Sequence, residues 1–195
     1  GAGAAVAAPA SGTTITLTNG TIAPNGDCTV QVDVRSNTPG NYTNMIVAGS
    51  ITTAEGISNP TDASGTLGVV GPPNVVKTFT PGSINAGGIS RLSIQLGNPN
   101  PGAATLTANF DDNLPANVAI AATPNLGGTC TLASVTAAGG ATTITYANGA
   151  SIPSGGCTID VDVTSSVAGS YTNLIPAGAL QTTAGVGRSF ITFES

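Results

Sequence analysis

The chain has 195 residues, of which 40% are hydrophobic, only 7% are charged and none is His or Trp. Moderate hydrophobicity with little charge excludes the disordered class, and a formal net charge of −5 excludes a nucleic-acid surface, which needs clustered positive charge. The apolar runs are far shorter than the roughly 20 residues that a membrane helix needs, so no membrane span is expected in this segment.

The opening stretch, Gly1 to Ala10, has neither the positive start nor the apolar centre of a secretion signal, and it begins without Met. It is expected to be the start of a mature or excised segment. Residues 13 to 57 then recur without a gap as residues 142 to 186, at a constant offset of 129 and with about half the positions identical. Within the first copy Cys28, Val30, Val32 and Val34 alternate with Thr29, Gln31, Asp33 and Arg35, the period of a half-buried strand. Asn19-Gly20, Asn25-Gly26 and Pro39-Gly40 supply turn chemistry between the runs. Asn19-Gly20-Thr21 and Asn41-Tyr42-Thr43 also match a glycosylation acceptor pattern, and the turn reading is preferred for both.

Val69 to Gly128 has no counterpart elsewhere in the chain, and Gly71-Pro72-Pro73 at its start reads as a linker. The sequence therefore predicts residues 1–69 as the C-terminal half of a truncated repeat and residues 70–195 as a near-complete repeat. Inside the second, Leu92, Ile94 and Leu96 form one inward face, Leu106, Ala108 and Phe110 another, and Cys157, Ile159, Val161 and Val163 a third. Further turns fall at Pro81-Gly82, Asn148-Gly149 and Ser154-Gly155-Gly156, and no stretch has a helical period. Many short Thr- and Val-rich strands predict an all-β fold, an immunoglobulin-like antiparallel β-sandwich in repeats. The half repeat supplies strands without the opposing strands that would cover them, so the segment is expected to be a window on a longer array.

Several segments of the second repeat carry a family likeness. Lys77-Thr78-Phe79-Thr80-Pro81, Asn85-Ala86-Gly87-Gly88, Leu96-Gly97-Asn98-Pro99-Asn100, Phe110-Asp111-Asp112-Asn113-Leu114-Pro115 and Gly169-Ser170-Tyr171-Thr172-Asn173 follow one another in order. In this combination the chain resembles the bacterial conserved-repeat domain, an immunoglobulin-like module strung in tandem through large secreted and surface proteins. The likeness implies an extracellular or cell-surface setting and neighbouring repeats of the same protein or fibre as partners, with self-assembly as a further expectation. It supplies no ligand. A second likeness, to other immunoglobulin-like surface modules in which a first-strand Lys joins an Asn of the last strands beside a buried carboxylate, implies an intramolecular cross-link between Lys77 and Asn173 with Asp111 assisting. The plain alternative is a solvated Lys and a turn Asn.

Three cysteines remain. Cys130 and Cys157 both belong to the complete repeat and are expected to form a disulfide, the alternative being two buried thiols. Cys28 aligns with Cys157, and the position matching Cys130 is Gly1, so its partner is expected outside the segment. The spacings fit no zinc pattern and no metal site is expected. Asp111, Asp112, Asp160 and Asp162 are weak candidates for calcium, against the reading that they keep a Thr-covered surface soluble. The aromatic residues Phe79, Phe110, Phe190, Phe193, Tyr42, Tyr146 and Tyr171 are read as packing residues rather than a carbohydrate platform. A Ser/His/Asp arrangement is impossible without His and the charges are scattered, so neither an enzyme nor a cofactor is expected. The expected function is that of a structural repeat segment in a stalk, fibre or filament; the alternative is an adhesin-type module binding a host or matrix ligand through its loops.

Overall fold

The computed structural model describes residues 4–186, 188 and 189. Among the described residues every regular element is a strand except one 3-10 turn at Leu132–Ser134, so the fold is all-β. The chain divides into two compact units, Gly1–Ser36 and Asn37–Ser195.

In the first unit β1 (Ala5–Ala7) pairs antiparallel with β2 (Thr16–Thr18). Asn19 and Asn25 turn the chain with φ of 56° and 55°, a left-handed conformation that Asn tolerates. The strand expected over residues 28–35 does not form, and Val30 and Val34 are exposed. The second copy shows why. Its equivalent strand, Cys157–Thr164, is held by strands on both sides, whereas residues 28–35 pair with no strand among the described residues, and a strand without a ladder leaves its backbone groups to water.

The second unit opens with a hairpin of β3 (Gly40–Ile46) and β4 (Ala63–Val69). Both strands are exposed nearly throughout. The compact units divide at residue 36, so this hairpin falls in the same unit as the second repeat. The linker behind it is clamped: the Gly71 amide donates to Asn100 Oδ1 at 2.6 Å, and the Gly71 carbonyl accepts from Asn100 Nδ2 at 3.0 Å.

The complete repeat follows as β5 (Asn74–Thr80), β6 (Ile89–Gly97), β7 (Ala104–Thr105), β8 (Phe110–Asn113), β9 (Ala119–Ile120), β10 (Gly127–Gly128), β11 (Val135–Thr136), β12 (Thr143–Tyr146), β13 (Ser151–Ile152), β14 (Cys157–Thr164), β15 (Gln181–Thr182), β16 (Gly185–Val186) and β17 (Arg188–Ser189). One sheet has the order β10-β14-β6-β5-β17, with β9 also on β14; a second has the order β11-β12-β8; β7 pairs β13 and β15 pairs β16. All these pairs are antiparallel except β5 with β17.

The expected alternation is what builds the core. Leu92, Ile94, Leu96, Ile159, Val161 and Val163 from the first sheet meet Phe110, Ile144 and Tyr146 from the second in one buried cluster, while the intervening residues of β14 stay partly open. Facing layers around one core fit a β-sandwich. Gly156 shows how tightly the layers' edges are built. Its φ is +96°, and a Cβ there would collide with the Leu96 carbonyl oxygen, so only glycine lets β14 begin directly beside β6.

Candidate functional site

Period-two alternation should place apolar side chains on the inward faces, and besides Ser90 and Thr182 three positions break that pattern. On β5 the inward residues are Val75, Lys77 and Phe79; on β8 Phe110 and Asp112 turn inward, with Leu114 following; after β14 Tyr171, Asn173 and Ile175 turn inward while Thr172 and Leu174 are exposed. The three polar exceptions converge. Lys77 Nζ donates to Asp112 Oδ1 at 2.9 Å and Asn173 Nδ2 donates to Asp112 Oδ2 at 3.0 Å, so one carboxylate holds both partners.

The site is dry. The Lys77 side chain is 8% exposed and that of Asp112 0%, and Asn173 is 7% exposed. Burial lowers the Lys77 pKa from its ordinary value, against the attraction and hydrogen bond of Asp112, which raise it. A buried ion pair repays its desolvation only when the remaining polar atoms are satisfied. Here one is not: Asn173 Oδ1 is buried without a hydrogen-bond partner.

The structure brings Lys77 and Asn173 to one carboxylate, and that carboxylate is Asp112 and not Asp111, the residue expected to assist. Asp111 lies on the outer face of β8, where it accepts from the Thr145 hydroxyl at 2.6 Å. The alternation that made Phe110 an inward residue also points its second neighbour inward, so Asp112 was within reach of the strand pattern.

Cys130 and Cys157 form a disulfide, with an S–S distance of 1.99 Å. It ties the segment after β10 to the start of β14. Cys28 is an exposed free thiol, and Gly1, the position matching Cys130, lies outside the described residues.

The calcium candidates are not gathered. Asp111 and Asp112 point to opposite faces of β8, because adjacent strand residues must. Asp162 on β14 is taken by Arg91 Nη1 at 3.0 Å and Asn125 Nδ2 at 2.6 Å. No group of three or more metal-ligating side chains occurs among the described residues. Phe110 and Tyr146 are fully buried, Phe79 and Tyr171 pack on the core and Tyr42 is exposed; Phe190 and Phe193 lie outside the described residues. A cleft at one end of the repeat is lined by Pro81, Ile84, Pro115, Val167 and Tyr171 among others and contains no charged residue.

The same local geometry recurs in both copies. Tyr171 donates from its hydroxyl to the Val167 carbonyl at 2.9 Å, and Tyr42 donates to the Thr38 carbonyl at 2.9 Å, each pair being the other displaced by 129. A family model described as "Domain of unknown function (DUF7933)" matches the chain twice in succession, over residues 1–69 and 73–191. No curated protein and no solved structure matches it.

Proposed function

The chain belongs to this DUF7933 family, and we propose that it serves as a structural repeat segment of a bacterial extracellular surface protein, part of a stalk, fibre or filament. The observation that carries this reading is the tandem match, 1–69 followed by 73–191, in a chain whose copies repeat at an offset of 129 residues. A site for chemistry on bound substrates needs no second copy, whereas a module whose role is length gains from each one.

The remaining features support it. A Tyr whose hydroxyl reaches back four residues to a carbonyl is the corner device of immunoglobulin-like sandwiches, and it favours that topology and the likeness to conserved-repeat modules. The Cys130–Cys157 disulfide fits an oxidising, extracellular compartment. No helix among the described residues is long and apolar enough to cross a membrane. The linker clamp at Gly71 gives the second module a fixed beginning, which suits a stiff array.

Electron microscopy of the native parent material tests the reading: thin fibres or stalks with a regular modular spacing are expected. Saturable binding of this segment to a glycan or matrix protein, abolished by substitutions in the cleft around Ile84 and Val167, would replace it with the adhesin reading.

A further inference from the structure

We propose that Lys77 and Asn173 are joined by an intramolecular amide bond, formed by the folded chain itself with Asp112 as the catalytic residue. The inference goes beyond the structural role and does not depend on it, since it rests on three side chains of one repeat. Lys77 lies on β5 and Asp112 on β8, strands of different sheets, and Asn173 follows β14. The bond would therefore fasten the beginning of the repeat to its end through the core.

The chemistry needs an amine without its proton, a polarised amide and a route for the proton. All three are present. An ion pair at a site 0–8% exposed is costly in a low-dielectric interior, and passing one proton from Lys77 Nζ to Asp112 turns it into a neutral hydrogen-bonded pair. Desolvation, which lowers the Lys77 pKa, acts in the same direction. A half-turn of the Asn173 amide, whose oxygen and nitrogen are distinguished only by their hydrogen bonds, brings the orphaned Oδ1 onto the protonated Asp112. That contact exchanges the Nδ2 hydrogen bond for one accepted by Oδ1, and it draws electron density from Asn173 Cγ.

The step balances without oxidant, reductant or cofactor. The Lys77 Nζ lone pair attacks Asn173 Cγ and a C–N bond forms; the tetrahedral oxygen is held by Asp112. Asp112 then carries a proton from Nζ to Nδ2, the Cγ–Nδ2 bond breaks, and one ammonia leaves. The product is a secondary amide, and Asp112 ends protonated, keeping the proton it took from the Lys77 ammonium at the outset. An uncharged amide also removes the buried ion pair that the unreacted site must support.

The test is the intact mass of the purified, folded chain after reduction of the disulfide. A mass short by one ammonia is expected, with a proteolytic map that yields a branched peptide joining the segments around Lys77 and Asn173. The map is essential, because succinimide formation at Asn19-Gly20, Asn25-Gly26 or Asn148-Gly149 also releases ammonia but leaves every peptide linear. Lys77→Met and Asp112→Ala should each restore the full mass and remove the branched peptide, whereas Asp111→Ala should keep it. A wild-type chain of full mass, an ammonia loss that maps only to Asn-Gly sites, or a branched peptide that persists in Asp112→Ala would overturn the proposal. The wild-type map decides the bond even if a variant fails to fold.

Discussion

At the scale of single residues, polar side chains divide into those that face water and those that a strand's alternation forces inward, and the two respond differently to pH. Asp162 is of the first kind. Its hydrogen bond from Asn125, assisted by Arg91, holds its carboxyl below the ordinary 3.8, against the opposing effect of burial. A carboxyl lowered in the folded state binds fewer protons there than in the unfolded chain, so its stabilisation is fully present above the unfolded value and is lost as pH falls through the folded one. Acid titration of stability should therefore show a decline beginning near pH 3.8 and continuing below it, and Asp162→Asn should flatten that decline while changing stability at pH 7 less than the loss of a fully buried pair would, since the Arg91 and Asp162 side chains are 34% and 13% exposed. A variant with the same acid slope as the parent would show that Asp162 is not its source. Lys77, Asp112 and Asn173 are of the second kind. Their alternation with Val75, Phe110 and Ile175 could be read from the chain, but the pairing of Lys77 with Asp112 rather than Asp111 is settled by which face of β8 meets β5.

At the scale of elements, β14 organises the repeat. It pairs with β6 over its whole length and with β9 and β10 on its other side, and the disulfide fixes its first residue. The bridge closes a loop of sequence separation 27, which on the chain-entropy estimate contributes about 3–4 kcal/mol by restricting the unfolded chain. Replacing both Cys130 and Cys157 by Ala should lower the urea midpoint by a corresponding amount with little change in the native β-sheet circular dichroism. A double variant as stable as the parent would show that the sheet alone holds β14. The copy of this strand in the first repeat carries the same alternation of apolar and polar residues but forms no strand, since alternation prepares a face and only neighbouring strands give its backbone a ladder.

At the scale of the whole molecule, no described residue before Gly71 is buried, and Val6, Ile22, Val34, Met45, Ile51 and Ile57 all lie open to solvent. From Val75 to Thr182 the chain instead surrounds one core. The opening energies of the two stretches should differ accordingly, because an isolated two-stranded hairpin is marginal in water while core strands open only with the whole domain. Hydrogen exchange on a verified monomer should be rapid through residues 4–69 and slow on β5, β6, β12 and β14. Equal, strong protection in both stretches would show that the first copy supports itself.

The sequence by itself determined the all-β class, the repeat at an offset of 129 and the inward faces of β6 and β14. These are local or periodic properties: side-chain alternation has a fixed period of two, and a repeated sequence repeats its turns. The tertiary structure alone decided that residues 28–35 remain unpaired, that Asn100 clamps Gly71, and that Asp112 rather than Asp111 stands between Lys77 and Asn173. Each of those depends on which distant segments meet: Gly71 and Asn100 are 29 positions apart, and Lys77 and Asn173 lie 35 and 61 positions from Asp112. A strand's own sequence specifies which side chains share a face; what that face meets is set by the packing of the sheets around it.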